Sequence, residues 1–391
     1  MTPVASVFGQ PVLRMLALLL LLLGGFNASV YPYQSLIAIE RVGLSHTAFA
    51  ALLALASAVA VTASVGFGIW GDHSGKRRRL ALIASVAAAS GVALMWLAPG
   101  VGTLVLAHGL LIPLASSLFG QGFTLAGQEM ASDPAQRDRV QPVIRAAMSL
   151  AFLALLVSFT FAFARGLDVM AVYATASVMG FGLVVLVVLR WPADRPRAAE
   201  LPPPGAALAA IARPAILLRL FLLGAINAAG VLYMVLVSLV FDAAPGRGPG
   251  DVALYVGLVA GWEVPFMLLL PRIAGRWDRV TQIGFGAAIY CGHLVLMPVL
   301  AGSALIWVLP LLAGLGGAAV LTLPIAYYQD LMRGRPGAAS ALIALQKLVS
   351  DILAAVIFAT GMALGGALLT ACLGAAAALL GALGLWRADR A

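Results

Sequence analysis

Runs of Leu, Ala, Val and Gly, each about 20 residues or longer, follow one another along the chain, separated by short segments that hold most of its Arg, Asp and Pro. A run of that length crosses a hydrocarbon core of about 30 Å as a helix. The breaks predict twelve helices, at residues 11–38, 46–71, 79–98, 101–128, 140–164, 168–190, 215–241, 251–271, 280–300, 303–327, 337–362 and 365–386. The first run, from Pro11 to Ala38, is too long for the apolar region of a signal peptide and lacks a clear small-residue cleavage site, so it reads as a span. The pattern predicts an all-α polytopic membrane protein with twelve transmembrane helices.

The longest polar stretch, residues 190–214, is rich in proline and reads as a semi-stiff linker. It separates a six-helix bundle at 1–190 from a second at 215–391, with a cytoplasmic linker at 191–214. The halves repeat each other at an offset near 200. "GGFNASVYPY" (24–33) aligns with "GAINAAGVLY" (224–233), matching Gly24 with Gly224, Asn27 with Asn227, Ala28 with Ala228 and Tyr33 with Tyr233. "GQEMA" (127–131) aligns with "YQDLM" (328–332) at an offset of 201. Two parallel six-helix repeats resemble the build of major facilitator transporters, which hold their substrate near the membrane midplane between the halves.

Composition excludes a soluble protein: 62% of the 391 residues are hydrophobic, 10% are charged, and the mean hydropathy is +1.04. Of the 24 Lys and Arg, twenty fall on the side of the termini, and Arg41, Arg165 and Arg247 fall on the other, leaving Lys347 inside a span. By the positive-inside rule both termini are cytoplasmic, and the chain is expected in a bacterial inner (plasma) membrane. The same bias, with anionic lipid nearby, accounts for the net charge of +9 without nucleic acid. Cys291 and Cys372 lie in apolar segments, so neither a disulfide nor a metal site is expected. There is no phosphate-cradling G-x-x-x-x-G-K-[ST], no H-E-x-x-H, and no clustered nucleophile and base, so an enzyme and a bound cofactor are not expected.

"GIWGDHSGKRRRL" (68–80) resembles the major facilitator loop pattern G-x-L-x-D-x-x-G-[RK]-[RK], with Trp70 in the place of Leu. Asp72 is suited to cap a helix end and pair with a basic neighbour, Gly75 permits a tight turn, and Lys76 and Arg77 face anionic headgroups. The loop reads as a conformational latch. "GWEVPFMLLLP" (261–271) and "YYQDLMRGRPGAAS" (327–340) are similar to segments of the sugar efflux transporter family, with weaker likeness at 144–152 and 28–36. The chain differs from that family in having Leu155 and Leu156 where a Gly-Pro pair is usual, and Tyr233 where Asp is usual. The resemblance implies alternating access with proton-coupled efflux of small sugars or glycosides. The alternative reading is export of amphipathic drugs or another small metabolite such as a siderophore.

A charge at the centre of a span costs about 2.5–3.5 kcal/mol on insertion scales, so each such residue is a candidate for function. Glu263, near the middle of helix eight, is a candidate proton site, or else a buried carboxyl bonded to backbone beside Pro265. Lys347 and Asp351, four residues apart, share a helix face and are suited to pair, as a substrate contact, a proton switch or a tether. Sugar hydroxyls want amide and phenol groups, and sugar C–H faces want aromatic rings. Candidates are Asn27, Tyr31, Gln34, Gln121, Asn227, Tyr233, Trp262 and Tyr327. His108 and His293 read as proton relays or as helix contacts. Arg145 reads as structural or gating, and Gln329, Asp330 and Arg333 read as the second-half counterpart of the latch. The expected partners are a small-molecule substrate, protons and the bilayer, for a monomer.

Overall fold

The computed structural model describes residues 7–129, 134–194, 212–273, 277–332 and 336–390. Helix α1, Pro11–Val30, runs on through a 3-10 turn at Tyr31–Tyr33, a short α-helical turn at Gln34–Leu36 and a π-helical turn at Ile37–Arg41. Pro32 has no N–H to give to the helix ladder, which is why the backbone changes its winding there. Helices α2 (His46–Ser74) and α3 (Arg77–Leu97) follow. Helix α4 is composite, with an α-turn at Val101–Leu104, a π segment at Val105–Leu111, a 3-10 turn at Ile112–Ala115 and an α-helix at Ser116–Glu129. Ser116 Oγ donates toward the carbonyls of Pro113 (2.7 Å) and Ala60 (3.2 Å), so a side chain serves the irregular backbone where water is absent. Next come α5 (Pro134–Ala164), α6 (Ala171–Arg190), α7 (Pro214–Ala243), α8 (Pro249–Ile273), α9 (Arg279–Leu300) and α10 (Leu309–Leu331).

The last helical stretch, Pro336–Arg390, is 55 residues long and bends at Gly366, with φ 74° and ψ −159°. That region of backbone space is open to glycine alone. The bend divides the stretch into α11 (336–365) and α12 (367–390). Ten stretches among the described residues are long and apolar enough to span a membrane, the last of them 49 residues, Leu342–Arg390. At 1.5 Å per residue that is about 74 Å of helix, enough for two crossings of a core of about 30 Å. With these counted as α11 and α12, and with α8, the spans number twelve, as the hydropathy pattern predicts.

The chain forms two compact units, Met1–Gly43 with Ala58–Glu200, and Leu44–Ser57 with Leu201–Ala391. Within the first, α1 packs on α5 and α6, and α3 packs on α6. Within the second, α7 packs along α11 and α12, α9 and α10 lie together, and α8 packs on α10. Helices in lipid gain little from apolar transfer and associate by close packing, so small residues sit at the contacts. The repeat is visible in these contacts. A methyl added at Gly24 would press into the backbone of Met148, and one at Gly224 into Val349. Likewise Gly182 receives Leu22, and Gly384 receives Leu222.

Candidate functional site

Three glycines in "GLGG" (314–317) on α10 form a notch that shapes the second unit's polar centre. Gly314 lies against the backbone of Trp262 and Glu263 on α8, and Gly316 against the backbone of Gly286 and Tyr290 on α9. A methyl at Gly317 would stand 2.8 Å from Glu263 Oε1 and 3.4 Å from the Tyr290 ring. The notch therefore lets the Glu263 carboxylate and the Tyr290 ring share one side of α10. Glu263 has no hydrogen-bond or salt-bridge partner among the described residues, so no backbone bond holds it beside Pro265.

Tyr290 also belongs to a buried ring cluster drawn from three helices. The His293 ring lies 5.3 Å from Tyr290, 5.1 Å from Tyr233 and 5.9 Å from Tyr255, centre to centre. His293 Nε2 and Tyr255 Oη share a hydrogen bond of 2.8 Å. His293 Nδ1 and Tyr233 Oη are buried with no hydrogen-bond partner among the described residues.

A second polar group sits on α11. Lys347 Nζ donates to Asp351 Oδ2 at 2.6 Å, and Ser57 Oγ donates to the same oxygen at 2.6 Å. The Asp351 side chain is 9% exposed and that of Lys347 60%, so the carboxylate is sunk while most of the Lys347 side chain lies open on the helix surface. Asn227 Nδ2 reaches Ser350 Oγ at 3.4 Å, and Ser350 donates to Gln346 O at 2.7 Å.

The remaining sequence candidates are dispersed. Asn27 and Gln34 are half-buried, and Tyr31 and Trp262 are exposed, Trp262 stacking on Phe266. Gln121 is buried; its Nε2 lies 3.3 Å from Ser117 Oγ and its Oε1 has no partner. Tyr327 is held at the end of α10, where it accepts from Arg219 Nε (3.1 Å) and donates to Asp389 Oδ1 (3.0 Å). His108, on the π segment of α4, shares a 2.7 Å hydrogen bond with Tyr173.

In the loop joining α2 and α3 Gly75 has φ +70°, the left-handed turn its position suggests, and Lys76 is exposed. Arg77 packs its stem along Gly71, and Arg78 meets Asp194 through its backbone N–H (2.8 Å). Asp330 pairs with Arg279 at the start of α9. Asp278 caps that helix, accepting from Thr281 Oγ1 (2.6 Å) and Thr281 N (2.8 Å), and these bonds hold its carboxyl below the usual range. Arg333 and the side chains of Asp72, Arg145 and Gln329 lie outside the described residues. No group of His, Cys, Asp and Glu suited to a metal ion occurs among the described residues.

Sequence reasoning did not single out Tyr255, Tyr290 or Ser57. The "GLGG" run was a visible signal for close helix approach, whereas nothing local marks Ser57 as the partner of a residue 294 positions away.

No family model matches the chain. A protein of Deinococcus radiodurans with the name "Putative sugar efflux transporter" is 28% identical over 366 residues, covering 88% of this chain and 89% of its own length. Among solved structures, the nucleoside transporter NupG superposes with a TM-score of 0.76 at 15% identity, covering 97% of this chain and 99% of that one. The peptide transporter POT in complex with sulfate does so with a TM-score of 0.76 at 14% identity, covering 96% and 94%. The chain shares the fold of these solved transporters, a multi-pass helical membrane architecture. In sequence the chain resembles the Deinococcus protein along most of its length.

Proposed function

We propose that this chain exports small sugars or glycosides by alternating access, driven by protons moving inward, from a bacterial plasma membrane with both termini in the cytoplasm. The observation that carries the proton part is the Glu263 carboxylate. It lies about halfway along α8 with neither a cation nor a hydrogen-bond donor to hold it among the described residues. A carboxylate in that setting is stabilised by taking up a proton, and uptake and release of one proton per cycle is what coupling needs.

The cargo part is supported by the likeness to the Deinococcus protein and by the type of polar group available. Asn27, Tyr31, Gln34, Gln121, Asn227 and Trp262 offer amides, a phenol and an indole, which match hydroxyls and sugar faces, while the buried Tyr233 sits in the ring cluster. Tyr327 is occupied by Arg219 and Asp389, so its part is to fix the end of α10. Lys347 and Asp351 neutralise one another and, with Ser57, tie residues 44–57 of α2 to α11. Asp72, Gly75, Lys76, Arg77, Arg145, Asp330 and Arg333 serve in gating, holding conformations rather than cargo. The transporter works as a monomer.

The test is internal pH in proteoliposomes loaded with a pH dye and given a panel of sugars and amphipathic cations. A sugar should drive proton movement in the wild type. Glu263→Gln should abolish it, and Gly317→Ala, which displaces the carboxylate, should reduce it at least fivefold. Proton movement with amphipathic cations alone overturns the sugar reading, and undiminished movement in Glu263→Gln overturns the proton site.

A further inference from the structure

The ring cluster of the second unit is graded in depth, and the gradient ends at Glu263. The turns after α7 and after α9 lie at one end of this unit, because Arg247 donates to Ala301 O (3.1 Å) and Ser303 O (2.9 Å) and lies over the Trp307 ring. Tyr255 is six residues from the start of α8 at Pro249, and His293 is seven from the end of α9 at Leu300. At 1.5 Å per residue both lie about 10 Å below that end. Tyr290 and Tyr233, each ten residues from the ends of α9 and α7, lie about 15 Å below it, and Glu263 about 21 Å. Trp307, 6.3 Å from Tyr255, roofs the top of this ladder.

The polar atoms along the ladder are incompletely paired. Tyr255 and His293 bond to each other, but His293 Nδ1 and Tyr233 Oη are buried without partners, and their rings are neighbours. Buried polar atoms left in this state are the usual hosts of internal water, which makes about three hydrogen bonds at each site. His293 Nδ1, Tyr233 Oη and Tyr290 Oη supply such partners between the Tyr255 level and the Glu263 level. The groups facing His293 are Tyr233 from α7, Tyr255 from α8 and Tyr290 from its own helix. From α12, Gly374 packs on Leu232 and Leu294, and Ala375 O accepts from Cys291, so that side adds no charge among the described residues.

We propose that Tyr255, His293, Tyr233 and Tyr290, bridged by internal water, form the path along which protons reach Glu263 from the end of the unit that carries Arg247 and Asp251. It rests on the reading of Glu263 as the proton site. In one passage, Tyr255 takes a proton from water above it and gives its own hydroxyl proton to His293 Nε2. His293 releases the proton on Nδ1 to the water below. The Tyr233 and Tyr290 hydroxyls relay one proton onward in the same way, and the Glu263 carboxylate becomes a carboxylic acid. One proton enters and one arrives; the imidazole is left as its other neutral tautomer, and exchange of that tautomer resets the path.

The test uses the full chain in proteoliposomes and compares two assays, sugar-driven proton movement and sugar–sugar exchange without a pH gradient. His293→Phe and Tyr255→Phe should lower proton movement at least tenfold while exchange stays within twofold of wild type. If Glu263→Gln stops proton movement and both ladder variants retain it, the path is wrong and the proton site stands. If the wild type moves no protons with any sugar, the coupling reading fails and the path falls with it. Tyr255→Phe removes a single oxygen and decides the matter should His293→Phe not fold.

Discussion

Tyr33 and Tyr233 occupy the same position in the two repeats, and their surroundings differ. Both hydroxyls are buried and lack a hydrogen-bond partner among the described residues. Tyr33 meets Phe159 and Phe163 edge-on, at 5.9 and 5.5 Å, and those two rings stack on each other. Tyr233 meets Tyr255, Tyr290 and His293. The first setting is an apolar clamp; the second is a cluster of exchangeable protons beside a carboxylate. Helix packing, by contrast, is alike in both units: Gly24 with Met148 and Gly224 with Val349 are the same contact 200 to 201 residues apart. The duplicated architecture kept its close approaches and let the chemistry between them diverge.

The strongest way to break that comparison is to fill the paired glycines. Gly24→Ala drives a methyl into the Met148 carbonyl, which is backbone, whereas Gly224→Ala meets the Val349 side chain at 2.5 Å. Overpacking costs about 1–3 kcal/mol; the Gly24 variant should lie at the top of that range and the Gly224 variant at the bottom. Thermal unfolding in detergent reads the difference, and equal losses would mean that the two contacts are equally rigid.

The hairpin glycines come next. Gly166 and Gly366, again 200 apart, have φ +88° and +74°, and Gly366 sits in the glycine-only region near ψ −159°. Gly366→Ala should cost about 1–3 kcal/mol in the same melting experiment.

Removing the two orphan hydroxyls sharpens the contrast at the site. Tyr33→Phe should leave stability unchanged or raise it by up to about 1 kcal/mol, because an unpaired buried hydroxyl is no longer desolvated. Tyr233→Phe should melt at the same temperature as wild type yet move fewer protons. Proton measurements that do not separate the two variants would remove the distinction drawn between the clamp and the cluster.

The smallest effect is expected at the cap of α9. Thr281 holds the folded-state pKa of Asp278 below its ordinary value of 3.8. Its stabilisation is therefore present above that value and lost as pH falls through the lower folded value. Asp278→Ala should speed hydrogen exchange at the first amides of α9 at pH 7, consistent with a cap worth about 1 kcal/mol, and the effect should shrink as pH falls below 3.8.

Much of the fold was legible in the chain because lipid imposes a simple rule on length and polarity. Twelve apolar runs became twelve spans, and the Gly24 and Gly224 match became a matched contact. The pairing of Lys347 with Asp351 was legible for a similar reason, since residues four apart on a helix share a face. The winding of α4 was not, although Pro113 stands inside its irregular part. Tyr327 shows the limit at the site. Its position on helix ten suggested a cavity residue, and only the fold brings Arg219 and Asp389, 108 and 62 residues away, to its hydroxyl.

The sequence by itself determined the membrane class, the number of spans, the repeat and the rare charges within it, because each depends on residue type and spacing along one helix. The tertiary structure decided which of those groups meet. Ser57 joins Asp351 across 294 residues, and three glycines on α10 bring Glu263 to Tyr290 and thence to the ring cluster. Such meetings depend on how closely helix backbones approach one another, and that distance is set by the packing of many side chains at once rather than by any local pattern.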